Sequence, residues 1–382
     1  MASRWFARLP HLCFIMPAAQ NPYASQFLGN GPFRIGGAMS GTSLDGLDLV
    51  VVELTAQANK DRWRYRILSS QFISYQGLEW AQRLPASYYA SASEREAIST
   101  DYSRWLNQQF HTFFDGQHIQ AIASHGHTSL HQPEQGITIQ IGNDPCIAEG
   151  FEGIPIVGDF RRADVSRGGQ GAPLVPLADA FLYANFAICL NLGGFSNASW
   201  SIDGVRRAGD LGPVNLLLNH FAQQLGFSFD RGGYVAKSHR ADAKCLRELR
   251  ELPFYGQSFP KSLGREWVES QVLPLLDPLD QGQALATATE HAAWAILHGL
   301  KEAPDGPILV TGGGAQNDYL IDLLRAGSNR LWQIPSAEDR DFKEATCFAF
   351  LGLRRLRGEV NVWASVTGAS SDGCDGTIFA RA

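Results

Sequence analysis

The sequence predicts an α/β protein of two domains, with mixed sheets flanked by helices. Apolar runs of strand length alternate with helical periodicity along most of the chain. A strand, a Gly/Ser-rich turn and a second strand occur twice, as IGGAMSGTSLDGLDLVVVEL (35–54) and CLNLGGFSNASWSIDG (189–204), which suggests two similar domains. At 382 residues and 45% apolar, the chain is too large for one ordinary core and has the side chains to fill two.

Residues 1–32 are expected to form a poorly structured extension. MASRWFARLPHLCFIMPAAQ places arginines ahead of an apolar stretch, as a secretion signal does, but proline and histidine interrupt it, and Met16 offers a second start. The first domain is expected over 33–157, completed by 358–382, with strands at 33–40, 48–54, 62–69, 119–124, 137–141 and 154–158 and a helix at 94–113. Each strand is a short apolar run; the helix is longer and periodic. The second domain, 158–357, is expected to hold strands at 187–192, 197–202, 307–312 and 330–334. Its helices are expected at 214–225, 239–251, 263–276, 283–302, 316–326 and 341–357, the last with apolar positions at helical spacing and therefore mostly core.

A net charge of −6 without a long Lys/Arg block excludes the basic surface of a nucleic-acid binder and points to a small-molecule partner. The six cysteines never form C-x-x-C, which argues against a disulfide framework and a zinc knuckle and fits a reducing cytoplasm. No run approaches the ~18 apolar residues of a membrane span.

The turn in 36–54 crowds small residues at a bend and leaves backbone N–H groups open to an anion, which suggests a phosphate. The turn at 193–194 has the same character, and ILVTGGGAQN (308–317) follows a strand and opens a helix as a nucleotide site does. Each alone reads equally as a tight connection. The P-loop string, a strand-to-helix G-x-G-x-x-G, G-x-S-x-G and H-E-x-x-H are all missing. What remains is a phosphate grip by two hairpins facing a shared cleft, similar to that of actin, the sugar kinases and the heat-shock ATPases, on a ribonuclease H-like fold.

MSGTSLDGLD (39–48), SHGHTSLHQP (124–133), TIQIGN (138–143), GDFRRADVSRGGQGAPLVP (158–176), NLGGFSNAS (191–199), PKSLGRE (260–266) and TGGGAQN (311–317) occur in that order. Together they resemble the 1,6-anhydro-N-acetylmuramic acid kinase family, over about residues 34–370. The resemblance implies a coupled reaction in cell-wall recycling: water opens the 1,6-anhydro bridge while O6 takes the γ-phosphate of ATP, giving N-acetylmuramic acid 6-phosphate and ADP. Water attack needs a carboxylate to accept its proton, and Asp210 in GDLGPVN matches the family's general base. Gly41, Thr42, Ser43, Leu44, Asp45, Gly46, Leu47 and Asp48, with Asn191, Gly193, Gly194, Gly312, Gly313, Gly314 and Asn317, are expected around the ATP phosphates. Asp45 is the candidate for Mg²⁺, directly or through water, and reads structurally as a turn cap; Asp48 ends the loop and begins the strand.

The resemblance places Ser124, His125, Gln140, Asn143, Arg161, Gln170 and Glu344 at the sugar. Arg161 or Arg162 would hold the lactyl carboxylate or a phosphate, with Asp159 and Asp164 as alternative ion-pair partners, and Glu344 reads otherwise as a first-turn glutamate. His125, His127 and His131 also have the alternation of a zinc site, but the family has no metal there, and His127 stands where relatives often carry glutamine. The chain departs from many relatives at Val214 and His239, where glycine is common, which puts sugar specificity in doubt. Expected partners are ATP and an amino sugar, with a homodimer left open. The rivals are a different sugar or carboxylate kinase on the same frame and a nucleotide sensor without turnover.

Overall fold

The structure, a computed structural model, describes residues 21–41, 44–58 and 62–380. Its strands in chain order are β1 (Phe33–Ser40), β2 (Gly46–Ala56), β3 (Trp63–Ser74), β4 (Ala121–Ser124), β5 (His127–Gln132), β6 (Ile137–Ile141) and β7 (Ile156–Gly158). There follow β8 (Ile188–Leu192), β9 (Phe195–Ile202), β10 (Val205–Pro213), β11 (Ile308–Thr311), β12 (Trp332–Gln333) and β13 (Thr377–Phe379).

The same plan is built twice. In the first sheet β3, β2 and β1 form an antiparallel meander, β4 lies parallel to β1 and β7 parallel to β4. In the second, β10, β9 and β8 form the meander, and β11 and β12 continue it in parallel. β13 adds an antiparallel edge to β7, and β5 and β6 make a separate ribbon. The echo between the two Gly/Ser-rich hairpins in the sequence is thus an echo between two sheets, and the fold is the expected α/β class.

Strand periodicity explains how both faces of the first sheet are covered. Val50 and Val52 point into a core shared with Phe348 and Phe350 of the Lys343–Leu356 helix. Leu49 and Val51 point the other way, to Tyr102, Leu106 and Phe110 of the Ala92–Phe114 helix. That helix begins where Ser91 and Glu94 form a reciprocal capping box. On the other side, a Cβ at Gly37 of β1 would collide with the Ala345 carbonyl oxygen, so helix and strand backbones touch. The second sheet packs on the alanine-rich Gln281–Gly299 helix.

Several expectations change. β5, β10 and β13 are additional strands; β10 (VRRAGDLGP) lacks apolar alternation and is held by pairing with β9. The expected 239–251 helix is shortened to Ala243–Arg250, since Asp242 caps it by accepting from Cys245 N–H, and a separate short helix, Tyr234–Ser238, precedes it. The 263–276 helix contains a π turn at Val268–Val272, just ahead of Pro274, which has no N–H to offer.

Residues 1–20 lie outside the described residues. Residues 21–32 are not loose, as the poorly structured extension expected over 1–32 required: Phe27 is fully buried, Asn21 donates to the Leu356 carbonyl at 2.6 Å, and Arg357 donates to the Gly29 carbonyl at 2.9 Å. The expected divisions at 158 and 357 also differ from the packing. The Val175–Leu182 and Lys343–Leu356 helices share the core of the first sheet, so that lobe takes chain from both sides of the second. Among the described residues no helix is long and apolar enough to cross a membrane.

Candidate active site

The two glycine turns of the second sheet are adjacent because the strands that lead to them are parallel neighbours, with Thr311 opposite Asn191. Gly193 and Gly194 follow β8; Gly312, Gly313 and Gly314 follow β11. Gly312 has φ +82°, and a Cβ there would lie 2.6 Å from Asn191 Oδ1 and 2.7 Å from the Leu192 carbonyl, so only glycine fits. Asn215 braces the first of these turns, its Nδ2 donating to Leu192 O at 3.1 Å and its N–H to Gly193 O at 3.1 Å, and its Oδ1 would lie 3.3 Å from a Cβ at Gly314 of the second. Asn317 does other work, capping the Asp318–Ala326 helix by accepting from Leu320 N–H at 3.0 Å. Val214 is fully buried ahead of the Asn215–Gln224 helix, and His239 ends the Tyr234–Ser238 helix with Nδ1 2.9 Å from Val235 O, so both departures sit in local structure.

In the first hairpin, Thr42 and Ser43 lie outside the described residues. Gly41 accepts from Leu44 N–H at 3.3 Å, Leu44 has φ +60°, and the Asp45 carbonyl accepts from Tyr75 N–H at 3.0 Å, which leaves the Asp45 side chain exposed at the tip. Gly46 opens β2, and Leu47 is buried in the core. Asp48, inside β2, is more than a strand start. Burial first, then the charges of Asp45, Glu344 and Asp341, push its pKa up to about 7.

Asp45 at the hairpin tip, Asp341 at the end of the Ala337–Asp341 helix and Glu344 in the Lys343–Leu356 helix thus lie near enough to Asp48 for their charges to act on it. Among the described residues no group of three or more His, Cys, Asp or Glu side chains is disposed to hold a metal. The donor set suits Mg²⁺ nevertheless, since that ion takes one or two carboxylates, keeps several waters and completes its shell with phosphate oxygens.

Among the residues expected at the sugar, His125 is buried and both its ring nitrogens are engaged: Arg161 Nε donates to Nε2 at 3.0 Å, and Nδ1 lies 3.0 Å from the Gly126 carbonyl. Arg161 also donates from Nη1 to Gly171 O at 2.9 Å; burial lowers its pKa to about 10, against the opposing charge of Glu344. Arg162 is instead paired with Asp159 at 2.9 Å, and Asp164 accepts from Gly171 N–H and from Thr367 Oγ1, each at 2.7 Å. Of the two arginines, Arg161 is the one bonded to His125 and to the Gly171 carbonyl. Asn143 is a brace, donating to Gln140 O at 3.0 Å and accepting from Asp159 N–H at 3.1 Å; Ser124 Oγ accepts from Gly126 N–H at 3.3 Å. Gln140 is buried, and its Oε1 has no partner. Gln170 is exposed, its backbone N–H held by Thr367 O at 2.8 Å. Glu344 starts the Lys343–Leu356 helix and has a raised pKa, from burial first. His131 pairs with Thr138 Oγ1 at 3.0 Å and His127 with Ser40 Oγ at 3.1 Å, so the histidines do not converge as a zinc set does.

Asp210 sits in β10 where the register to β9 slips between Asp210 and Gly212. Its N–H donates to Lys261 O at 2.9 Å and its Oδ2 accepts from Leu263 N–H at 2.8 Å. Burial raises its pKa to about 6, with the Leu263 hydrogen bond opposing. That the 261–263 backbone braces Asp210 on both its N–H and its carboxylate was not visible from residue types.

A family model for anhydro-N-acetylmuramic acid kinase matches residues 33–381. The chain belongs to the anhydro-N-acetylmuramic acid kinase family. An anhydro-N-acetylmuramic acid kinase from Pseudomonas fluorescens (strain Pf0-1) is 35% identical over 372 residues, covering 90% of this chain and 98% of the relative. The one from Pseudomonas syringae pv. tomato is 36% identical over 368 residues, covering 90% and 98%. That from Ruegeria sp. (strain TM1040) is 31% identical over 381 residues, covering 91% and 95%. With such coverage, anhydro-N-acetylmuramic acid kinases match this chain in both sheets and not in one lobe alone.

Proposed function

We propose that this anhydro-N-acetylmuramic acid kinase uses Asp210 as the base that activates water at the anomeric carbon, with ATP in the cleft between the glycine turns. Water oxygen bonds to C1, the C1–O6 bond breaks, O6 bonds to the γ-phosphorus and ADP leaves; the water proton passes to Asp210. The observation that supports this most is the Asp210 carboxylate itself. One oxygen is fixed by Leu263 N–H, and burial sets a pKa of about 6, so it is ionised at neutral pH yet basic enough to take a proton.

Gly193, Gly194, Gly312, Gly313 and Gly314 would present backbone to the nucleotide, and Gly41, Thr42 and Ser43 to its terminal phosphates. Asp45, with water and phosphate oxygens, would hold Mg²⁺, which compensates charge on the transferred phosphoryl group. Arg161 would hold the substrate carboxylate, oriented by its bonds to His125 and Gly171. Lobe closure would exclude bulk water and retain the attacking molecule.

The test is ADP release with 1,6-anhydro-N-acetylmuramic acid, ATP and Mg²⁺. Sugar-dependent turnover is expected, and Asp210→Asn should lower it by about 10²–10⁴-fold while ATP affinity holds. Turnover with other sugars alone, or ATP binding without turnover, would favour the rival kinase or the sensor.

A further inference from the structure

The stretch of chain that holds Asp210 at two points has no regular structure of its own: residues 257–264 lie in neither helix nor strand. It runs directly against β10. A Cβ at Gly209, the residue before Asp210, would lie 2.8 Å from Lys261 O, 2.8 Å from Phe259 Cδ1 and 3.1 Å from Lys261 N. Lys261 O accepts from the Asp210 N–H, and Leu263 N–H donates to Asp210 Oδ2. Phe259 meets Trp200 of β9 edge-on, with ring centroids 4.9 Å apart, and Leu263 packs on a small core of Phe254, Tyr255 and Ala295.

The Lys261 side chain ties this stretch down. Its Nζ donates to Phe254 O at 3.2 Å and stands 4.4 Å from the centre of the Phe254 ring and 5.2 Å from that of Phe259. One ammonium thus joins the two ends of the 254–261 loop, and Phe254 is buried in the small core, which gives the clamp a fixed anchor. Such contacts gain strength as water is excluded, and burial here is enough to lower the lysine's pKa.

We infer that Lys261 is a positioning residue for Asp210: by clamping Phe254 and Phe259 through its ammonium, it sets where its own carbonyl and the Leu263 N–H meet the aspartate. This rests on the reading of Asp210 as the base. The clamp acts through the backbone, since burial and the opposing Leu263 bond, and not the charge of Lys261, set the basicity of Asp210. The titratable side chains beyond the clamp are His291, which pairs with Tyr255 Oη at 2.7 Å and is held neutral by burial, and His298, lowered by burial first, then by the charge of Lys301, with Lys261 adding to it. A measurement on the Asp210 carboxyl itself keeps these apart from it.

On the full-length protein, ¹³C NMR follows the Asp210 carboxyl through its titration, with Asp210→Asn assigning the signal. Lys261→Met keeps the stem and loses the ammonium. Its Asp210 midpoint should rise by about one pH unit, because the Leu263 bond that favours the ionised form is loosened. Lys261→Arg, with a cation again over both rings, should bring the midpoint back to within about 0.3 of a pH unit of the wild type. In steady-state kinetics, kcat/KM for the sugar in Lys261→Met should fall about tenfold below wild type at pH 5 and approach it above pH 8, with KM for ATP unchanged. An Asp210 midpoint that stays in place, with activity lost by one factor at every pH, overturns the inference. The wild-type protein gives a reading that needs no variant: the Lys261 Cε protons should be shielded by the two rings, and the Leu263 amide proton should shift with the Asp210 midpoint. Absence of either also overturns it. Failure of the base reading looks different, as a wild-type acid limb of kcat/KM that does not follow the Asp210 midpoint.

Discussion

Asp210 and Asp48 show how the same push on a carboxylate has opposite consequences at two places. As the proposed base, Asp210 would have to be ionised, so a pKa of about 6 predicts that kcat/KM for the sugar falls tenfold per pH unit below about pH 6. A limb breaking near pH 4 would mean that another group is the base. Asp48, raised to about 7, keeps its proton in the folded state where the unfolded chain has lost it, so stability falls as pH rises from about 4 to about 7. Each pH unit inside that window removes up to about 1.4 kcal/mol. Asp48→Asn should therefore raise Tm at pH 8 and lose that advantage towards pH 4, as thermal melts across pH would reveal. Residue identities were legible where they sit in motifs, Asp210 above all. Roles that depend on which nitrogen or oxygen is already occupied were not. Nothing in SHGHTSLHQP says that His125 spends both nitrogens internally, and nothing in TGGGAQN says that Asn317 is a cap.

Elements were legible in proportion to how much their own side chains decide them. β1, β8 and β11 are apolar runs buried on both faces, and the sequence marks them within about two residues at either end. β10 is decided from outside, by β9 on one edge and by the Lys261 backbone at Asp210, and its arginines and glycines hide it. The glycine turns are legible as composition, but the reason for each glycine is steric and local. Gly312→Ala must force a Cβ against Asn191 and Leu192 in a left-handed backbone, which predicts a loss of about 1–3 kcal/mol and a much weakened ATP affinity. Gly193→Ala meets an Asn191 side-chain atom at 3.4 Å and the Phe195 carbonyl oxygen at 3.6 Å, both ordinary contacts, and should be far milder. Equilibrium denaturation and nucleotide titration of the pair measure the contrast.

At the scale of the molecule, the lobes are joined by a buried ionic cluster rather than by a loop alone. Lys343 Nζ lies 2.8 Å from Asp179 Oδ1, both on first-lobe helices; Asp179 Oδ2 accepts from Ser199 Oγ at 2.6 Å; and Arg206 Nη2 donates to Ser199 Oγ at 2.6 Å, the last two residues belonging to β9 and β10. Asp179→Ala would strand a buried lysine and an arginine, and a loss of about 3–5 kcal/mol is expected from chemical denaturation. Replacing Asp179 with Leu and Lys343 with Met together should cost less, because no first-lobe charge is left alone. The two-domain class was legible from the paired hairpins; this junction was not, since its members are scattered from 179 to 343 and meet only in the folded chain.

The return of the chain to its first sheet has a temporal meaning during synthesis. The Lys343–Leu356 helix that covers β1 and the β13 strand that borders β7 both leave the ribosome after all of the second sheet. The lobe begun earliest is the one sealed latest, and until then one apolar side of its nascent sheet stands open to chaperones and to neighbouring chains.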